Sequence, residues 1–424
     1  MIRPRDETAV RAALSAGPVI ARGNGRSYGD SAVQANGTLD MRGLNRMLAF
    51  DPQTGTVEVE AGVMLGDVIR AFLPRGWFPA VTPGTKLVTI GGAIASDVHG
   101  KNHRRDGSFG RHVDWIDVMD AEGEVHRCSP RDNTDLFRWT IGGMGLTGVI
   151  LRAGIRLRPV TSGWIAQDMR PAANLDAAME IFEATDATYS VAWFDCLGQG
   201  DRLGRSLVML GEHAERDALP SSRRHRPFHV PAKRPRRVPL DAPAFALNRH
   251  SLRAFNALYH WNGSRKAGPS LVDWDTYFYP LDALLEWNRI YGRRGFAQFQ
   301  CVLPLASARA GLDELLRAIS ASGQGSFLAV LKRLGAQDSA FSFPMEGYTL
   351  ALDFPVNPAS LALMQRLDDI TLAHGGRFYL AKDSRLSADT LRKADPRTAG
   401  FVAMRGQDDR AGTFASGQSE RLKL

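Results

Sequence analysis

Three short stretches carry side chains able to move protons and orient a polar substrate. In HGKNH, His99 and His103 flank Lys101. The spacing of the two histidines matches zinc ligation, but the stretch has no glutamate and contains a glycine, so no metal is expected. A neutral structural histidine remains the alternative to a working one. In GFAQFQCVLP a period of two puts Gln298 and Gln300 on one face and Phe299 and Cys301 on the other. The glutamine face either lines a polar pocket or lies exposed. In RFYLAKDS, Lys382 follows an apolar run and, read as strand, shares a face with Phe378 and Leu380, where an unpartnered ammonium is costly. A lysine snorkelling to water is the alternative.

The elements that must position these residues are glycine-rich. RGNGRSYGD (22–30) clears backbone at Gly23, Gly25 and Gly29, so that N–H groups can approach a pyrophosphate. The interval departs from G-x-G-x-x-G. A turn signal, Asn36-Gly37, and the strand-like TLDM follow instead of a helix, which excludes the dinucleotide-helix motif. Further small-residue clusters stand at Pro83-Gly84, at Gly91, Gly92, Ala93, Ala95 and Ser96, at Gly107 and Gly110, and at Gly142, Gly143, Gly145 and Gly148. Several cleared segments within the first ~150 residues imply a ligand longer than one phosphate, threaded between two small subdomains.

The fold expected is α+β. Residues 1–162 alternate short β-like runs (TVEVEAG, LTGVILRAGIRLRP) with glycines. Residues 163–376 read as an antiparallel sheet (GWIAQDM, TYSVAWFDCL, GFAQFQCVLP, GYTLALDFPV) with flanking helices (LDELLRAI, SLALMQRLDDITLAHGG). Residues 377–424 form a C-terminal segment returning to the first domain and the site. The chain has 424 residues, 44% of them hydrophobic, and its three cysteines are scattered, which excludes a disulfide framework. The charged start and the lack of a long apolar run predict a cytoplasmic protein, at most peripheral to a membrane. Of the net charge of +8, seven positive residues fall in SSRRHRPFHVPAKRPRR (221–237). With its prolines, the stretch 215–240 is expected to be a mobile loop, neither helix nor strand. It is either a solvated loop or a contact for anionic lipid. Nucleic acid is not expected, since no aromatic platform accompanies it.

The order RGNGRSYGD, PGT, TIGGAIASDVHGKNH, GSFG, GGMGLTGVI, and then YLAKDSR, resembles the vanillyl-alcohol-oxidase-type FAD-linked oxidoreductases with a PCMH-type FAD domain. Within them it resembles the branch that oxidises decaprenylphosphoryl-β-D-ribose. The resemblance covers nearly the whole chain. It implies FAD held by Arg22, Gly23, Asn24, Gly25, Arg26, Ser27, Tyr28, Pro83, Gly84, Thr85, Ile90, Gly91, Gly92, Ser96, Asp97, His99, Gly100, Asn102, His103, Ser108, Gly110, Gly143, Gly148, Ile150 and Tyr379. It further implies Lys382, His99 and Tyr28 as catalytic residues, and Lys101, Gln298, Gln300, Thr349, Ala351 and Lys382 as substrate-binding residues.

There are two departures from the family pattern. Arg26 stands where many relatives carry a flavin-linking histidine, so FAD is expected to be non-covalent. Ala351 stands where the actinobacterial ribose oxidases carry a cysteine, so thiol-directed inhibitors should lose their target. The chain is also short at its N-terminus, which is expected to matter little. The implied reaction is 2′-oxidation of a polyprenyl-phosphoryl ribose to the keto sugar, the first half of an epimerisation that an NAD(P)H-dependent reductase completes. The rival readings are an alditol or aldonolactone oxidase and, from another class, a non-catalytic basic lipid- or RNA-binding module.

Overall fold

The computed structural model describes residues 1–231, 233–243, 248–407 and 409–424. Strands β1 (Ile20–Arg22) and β2 (Thr38–Asp40) pair in parallel. The segment 23–37 that joins them contains neither helix nor strand, as its glycine spacing requires. A six-stranded sheet follows, built from β3 (Met47–Asp51), β4 (Thr56–Glu60), β5 (Trp77–Pro79), β6 (Val113–Met119), β7 (Val125–Cys128) and β8 (Val149–Pro159). The alternation of TVEVE is realised in β4, whose Val57 and Val59 join Ile116, Val118, Ala153 and Ile155 in one core.

The second unit contains β9 (Trp164–Ala172), β10 (Tyr189–Phe194), β11 (Ser206–His213), β12 (Arg236–Arg237), β13 (Gly268–Asp273), β14 (Leu284–Leu285), β15 (Phe296–Pro304), β16 (Ala329–Leu334), β17 (Gly347–Pro355) and β18 (Arg377–Phe378). Eight of these form an antiparallel sheet in the order β13-β9-β11-β10-β16-β17-β15-β18, whereas β12 and β14 pair separately. Register makes the sheet two-faced. Phe299 lies opposite Leu352, and Cys301 opposite Leu350, on the face covered by the helices Leu305–Ser322 and Pro358–Ala373. The other face presents Gln298 opposite Asp353, Gln300 opposite Ala351, and Lys332 opposite Thr349. The second helix ends at His374, and Gly375 then takes the left-handed conformation, as its sequence predicts.

Two local expectations are corrected. The stretch 215–240 is not free of secondary structure: Pro220 opens a one-turn helix, Ser221–Arg224, and Arg236–Arg237 pair with Leu284–Leu285 as β12 and β14. It is also tied down, with Arg223 stacked 3.9 Å over Trp164 and Lys233 ion-paired to Asp273 and Asp275. Nor is Lys382 on a strand. β18 ends at Phe378, the Tyr379 N–H makes a last bond to the Gln300 carbonyl, and Leu380–Lys382 turn as a 3-10 helix closed from Lys382 N–H to the Tyr379 carbonyl. An edge strand with no partner beyond it is free to turn there.

The C-terminal segment packs against the first forty residues. Tyr28 N–H donates to the Ala381 carbonyl (2.9 Å), and Val19 exchanges bonds with Thr413 (2.8 Å) and Ala415 (3.0 Å). Arg421 bridges Asp30 (2.7 Å) and Asp383 (2.9 Å).

Candidate active site

A cavity of about 440 Å³ lies between the glycine-cleared loops of the first unit and the polar face of the eight-stranded sheet. That volume is ordinary for a cofactor site (~300–1,000 Å³). One wall is backbone-rich: Gly23, Asn24, Gly25, Arg26, Ser27 and Tyr28 from the β1–β2 connection, and Pro83, Gly84, Thr85, Gly92, Ser96 and His99 from 83–99. The floor is Gln298, Gln300, Val330, Lys332, Ala351 and Asp353, three adjacent strands sharing one face. Tyr379 and Lys382 close one end, and the 281–288 segment forms a rim.

The loops are cross-braced. Asn24 donates to the Leu87 carbonyl (2.9 Å) and accepts from Arg42 (3.1 Å). Tyr379 donates its hydroxyl to the Ser96 carbonyl (3.0 Å). Gln300 donates its amide to His99 Nε2 (3.2 Å) and to Thr349 Oγ1 (3.3 Å). With Nε2 accepting, the neutral ring carries its proton on Nδ1. That buried atom has no partner among the described residues. Burial, then Lys332, holds His99 well below the usual histidine range, so it works as a neutral donor.

Lys382 is half-buried at the cavity wall. Its Nζ stands 3.7 Å over the Tyr28 ring, a cation–π contact that offsets part of its desolvation. Burial drives its pKa down, Asp353 opposes that shift and Arg26 reinforces it. Asp353 moves the opposite way: burial drives its pKa up, against the pull of the Gln298 amide that donates to it and of Lys382. Lys332 is likewise lowered, to about 8, by burial and then by Lys382. Tyr28 is raised, by burial and then by Asp353, so its hydroxyl stays protonated.

Of the residues expected from sequence, several do not line the cavity. Arg22 donates to the Ala32 carbonyl (3.0 Å) and shapes the loop from behind. Ile90 and Ile150 are core, and Gly91 abuts Ala61. Asp97, at φ 38°, accepts from Ser108 Oγ (2.7 Å), Gly110 N–H (2.8 Å) and Gln337 (3.0 Å), and so ties the two units together behind His99. Gly100 presses on the Thr82 carbonyl, Asn102 donates to the Ala80 carbonyl (2.8 Å), and His103 meets Gln337 (2.9 Å). A Cβ on Gly143 would strike the Trp139 carbonyl, and one on Gly148 would strike Val118, so these glycines admit protein. Lys101 points elsewhere, donating to the Tyr277 carbonyl over that ring. Thr349 stands one layer back, beneath Gln300.

The backbone-rich wall fits FAD on two observations. Nothing lies within 4 Å of where a Gly84 Cβ would stand, so the backbone there is open to a ligand, and His99, which lines the cavity, keeps at Nδ1 a buried donor without a partner among the described residues. Residues 1–129 match the family model described as an FAD binding domain. The chain is 38% identical over 415 residues to decaprenylphosphoryl-beta-D-ribose oxidase of Mycolicibacterium smegmatis, across 96% of this chain and 89% of that protein.

The chain belongs to the decaprenylphosphoryl-β-D-ribose oxidase family.

It is an FAD-dependent oxidoreductase. Other members of this set of relatives include an uncharacterized protein in the mprA 5′ region of Streptomyces coelicolor, 34% identical over 374 residues, covering 85% of this chain and all (100%) of that one. The likeness to cytokinin dehydrogenase 5 of Arabidopsis thaliana, 33% over 148 residues, covers only 34% of this chain and 27% of that protein. Sequence reasoning missed Asp353, Lys332 and the 281–288 rim. The first two had a signal: period two in YTLALDF places Asp353 on the face of Thr349 and Ala351, and in AVLKRL it places Lys332 with Val330. The rim had none, because the strand pair that holds it is two residues long.

Proposed function

We propose that this oxidoreductase oxidises the 2′-hydroxyl of a polyprenyl-phosphoryl-β-D-ribose to the 2′-keto sugar, the first half of an epimerisation completed by a separate NAD(P)H-dependent reductase. In this reading residues 1–162 hold FAD, 163–376 carry the substrate floor, and 377–424 return to complete the site. The observation that carries it is the desolvated Lys382 in the same cavity as the amide pair Gln298 and Gln300 and the glycine-cleared loops.

Bound FAD supplies the two-electron acceptor for the 2′ C–H. The remaining task is removal of the hydroxyl proton, and it falls to the chain. Half-buried at the cavity wall and lowered to about 8, chiefly by burial, Lys382 is in part the free amine near neutral pH, so its Nζ can take that proton. Gln298, locked to Asp353, and Gln300, locked to His99 and Thr349, have fixed amides able to orient a ribose diol. Lys332, lowered to about 8 like Lys382, is still mostly protonated at neutral pH and adds a cation at the floor for the substrate's anionic part. Arg26, which has no nucleophile to offer a flavin, supports non-covalent attachment. Peripheral attachment to an anionic membrane at the cytoplasmic face would bring the enzyme to such a lipid.

The test is the visible spectrum of purified protein. Acid should release the yellow flavin into the supernatant, and anaerobic polyprenyl-phosphoryl ribose should bleach the holoprotein whereas an aldonolactone should not. Lys382→Ala should keep its colour and lose at least ~100-fold in bleaching rate. Bleaching of that variant at the wild-type rate would remove Lys382 from the mechanism.

A further inference from the structure

Residues 221–266 carry eleven Lys/Arg and a single acid, Asp241, a surplus larger than the +8 of the whole chain. Apolar exposure gathers in the same region. Among the described residues, thirteen large hydrophobic side chains are exposed, and six of them, Leu240, Phe255, Leu258, Tyr259, Trp261 and Leu285, fall between 240 and 285. The helix Arg249–Ser264 organises them. Its inner side is fixed by Leu252 and Asn256, both buried, by Phe255 against Phe327, by Tyr259 against Trp193, and by Gly263 against Leu207.

At about 100° per residue, Ala254, Ala257, Leu258 and Trp261 lie on the opposite side, and all four are exposed. Leu258 is 62% and Trp261 55% exposed. Exposed Arg253, Arg265 and Lys266 flank this stripe, with Arg265 4.8 Å over the Trp261 ring.

The placement ties this surface to the cavity. Trp193 pairs across from Val330, a cavity-floor residue, so the helix sits on the cavity side of the same sheet. At its start, Leu252 shares a small recess with Tyr291 and Phe327, and Tyr291 belongs to the turn whose Trp287 rims the cavity. On the rim itself, exposed Arg236 and Arg237 pair with Leu284 and Leu285, and Arg237, though ion-paired to Glu286 (3.4 Å), stays largely open to solvent.

We propose that the outward face of the helix Arg249–Ser264, together with Arg236 and Arg237, docks the cavity mouth onto an anionic phospholipid bilayer. An apolar stripe with an interfacial tryptophan, bordered by cations and nearly free of acids, is the chemistry of a helix lying in a lipid headgroup layer. The charge complements anionic headgroups, whereas an acid-poor apolar stripe this narrow is small for a stable protein interface. The proposal rests on the lipid-linked-substrate reading for the reason such docking is needed, and not for its geometry. It assigns insertion to a helix outside the basic run, of whose cations Arg223, Arg224, Lys233 and Arg237 already make contacts within the protein.

The test is co-sedimentation of the FAD-loaded protein with vesicles of phosphatidylcholine alone and of phosphatidylcholine with phosphatidylglycerol. The wild type should pellet only with the anionic vesicles, and less so at high salt. L258E/W261E should lower that partition by about tenfold or more with its flavin spectrum unchanged, and R236E/R237E should weaken it too. Wild-type pelleting by L258E/W261E overturns the proposal, as does a wild-type dimer that this variant dissociates, which would make the face a self-interface. A short-chain prenyl-phosphoryl ribose offered without vesicles separates the two readings. Equal turnover by wild type and L258E/W261E supports docking as a delivery step. A wild type that binds anionic vesicles but leaves this analogue untouched removes the substrate reading and leaves the docking surface standing.

Discussion

Lys382 and Asp353 are opposite charges that share a desolvated site, and each limits how far burial displaces the other. With Lys382 pushed down to about 8, the free amine grows as pH rises through that value, so kcat/KM should rise there too. Asp353 favours the ammonium. Asp353→Asn should therefore move this limb to lower pH, by about one pH unit, and a limb that stays in place would assign it to another group. Ala351 supports a second test at this scale. The three native thiols, Cys128, Cys196 and Cys301, are buried, with burial pushing them up to about 11, 12 and 12. The native holoprotein should thus resist iodoacetamide, while Ala351→Cys should take one equivalent, blocked by substrate. Equal labelling of both proteins would mean that no thiol placed at 351 meets the cavity.

At the scale of elements, the connection from β1 to β2 depends on a close approach from far along the chain. Gly29 holds φ +61°, and a Cβ there would stand 2.8 Å from the Asp383 carbonyl. Gly29→Ala should cost about 2 kcal/mol or more and loosen flavin retention, read as a lowered melting temperature and colour lost on gel filtration; an unchanged melt would show that the loop yields freely. The period-two strands are legible in sequence because one face is packed under the helices and the other lines the cavity, and for that reason spacing alone puts Gln298 and Gln300 side by side. The turn at Lys382 is not legible, since the apolar run continues past the point where the sheet offers a partner. The later glycine clusters are over-read for a similar reason: a missing Cβ admits a ligand or a neighbouring carbonyl equally well, and Gly143 and Gly148 admit the protein itself. Lys101 shows the same ambiguity. Sequence gives its neighbourhood in HGKNH, whereas only packing against Tyr277 gives its direction.

Across the whole molecule, the formal charge is a regional property. The positive surplus between 221 and 266 leaves the rest of the chain net negative, so salt should act on surface attachment far more than on the desolvated Lys382–Asp353 pair. Acid release of free flavin, the companion test of Arg26, also reads the molecule as a whole, because attachment without a covalent bond leaves retention to the joint grip of both units. That grip depends on the order of synthesis. The Ala381 carbonyl that receives Tyr28 N–H, and the Thr413 and Ala415 backbone that flanks Val19, lie hundreds of residues downstream of the loop they steady. A nascent chain emerging from the ribosome will have all its glycine loops outside well before these partners appear, so capture of the coenzyme must wait until translation has almost finished.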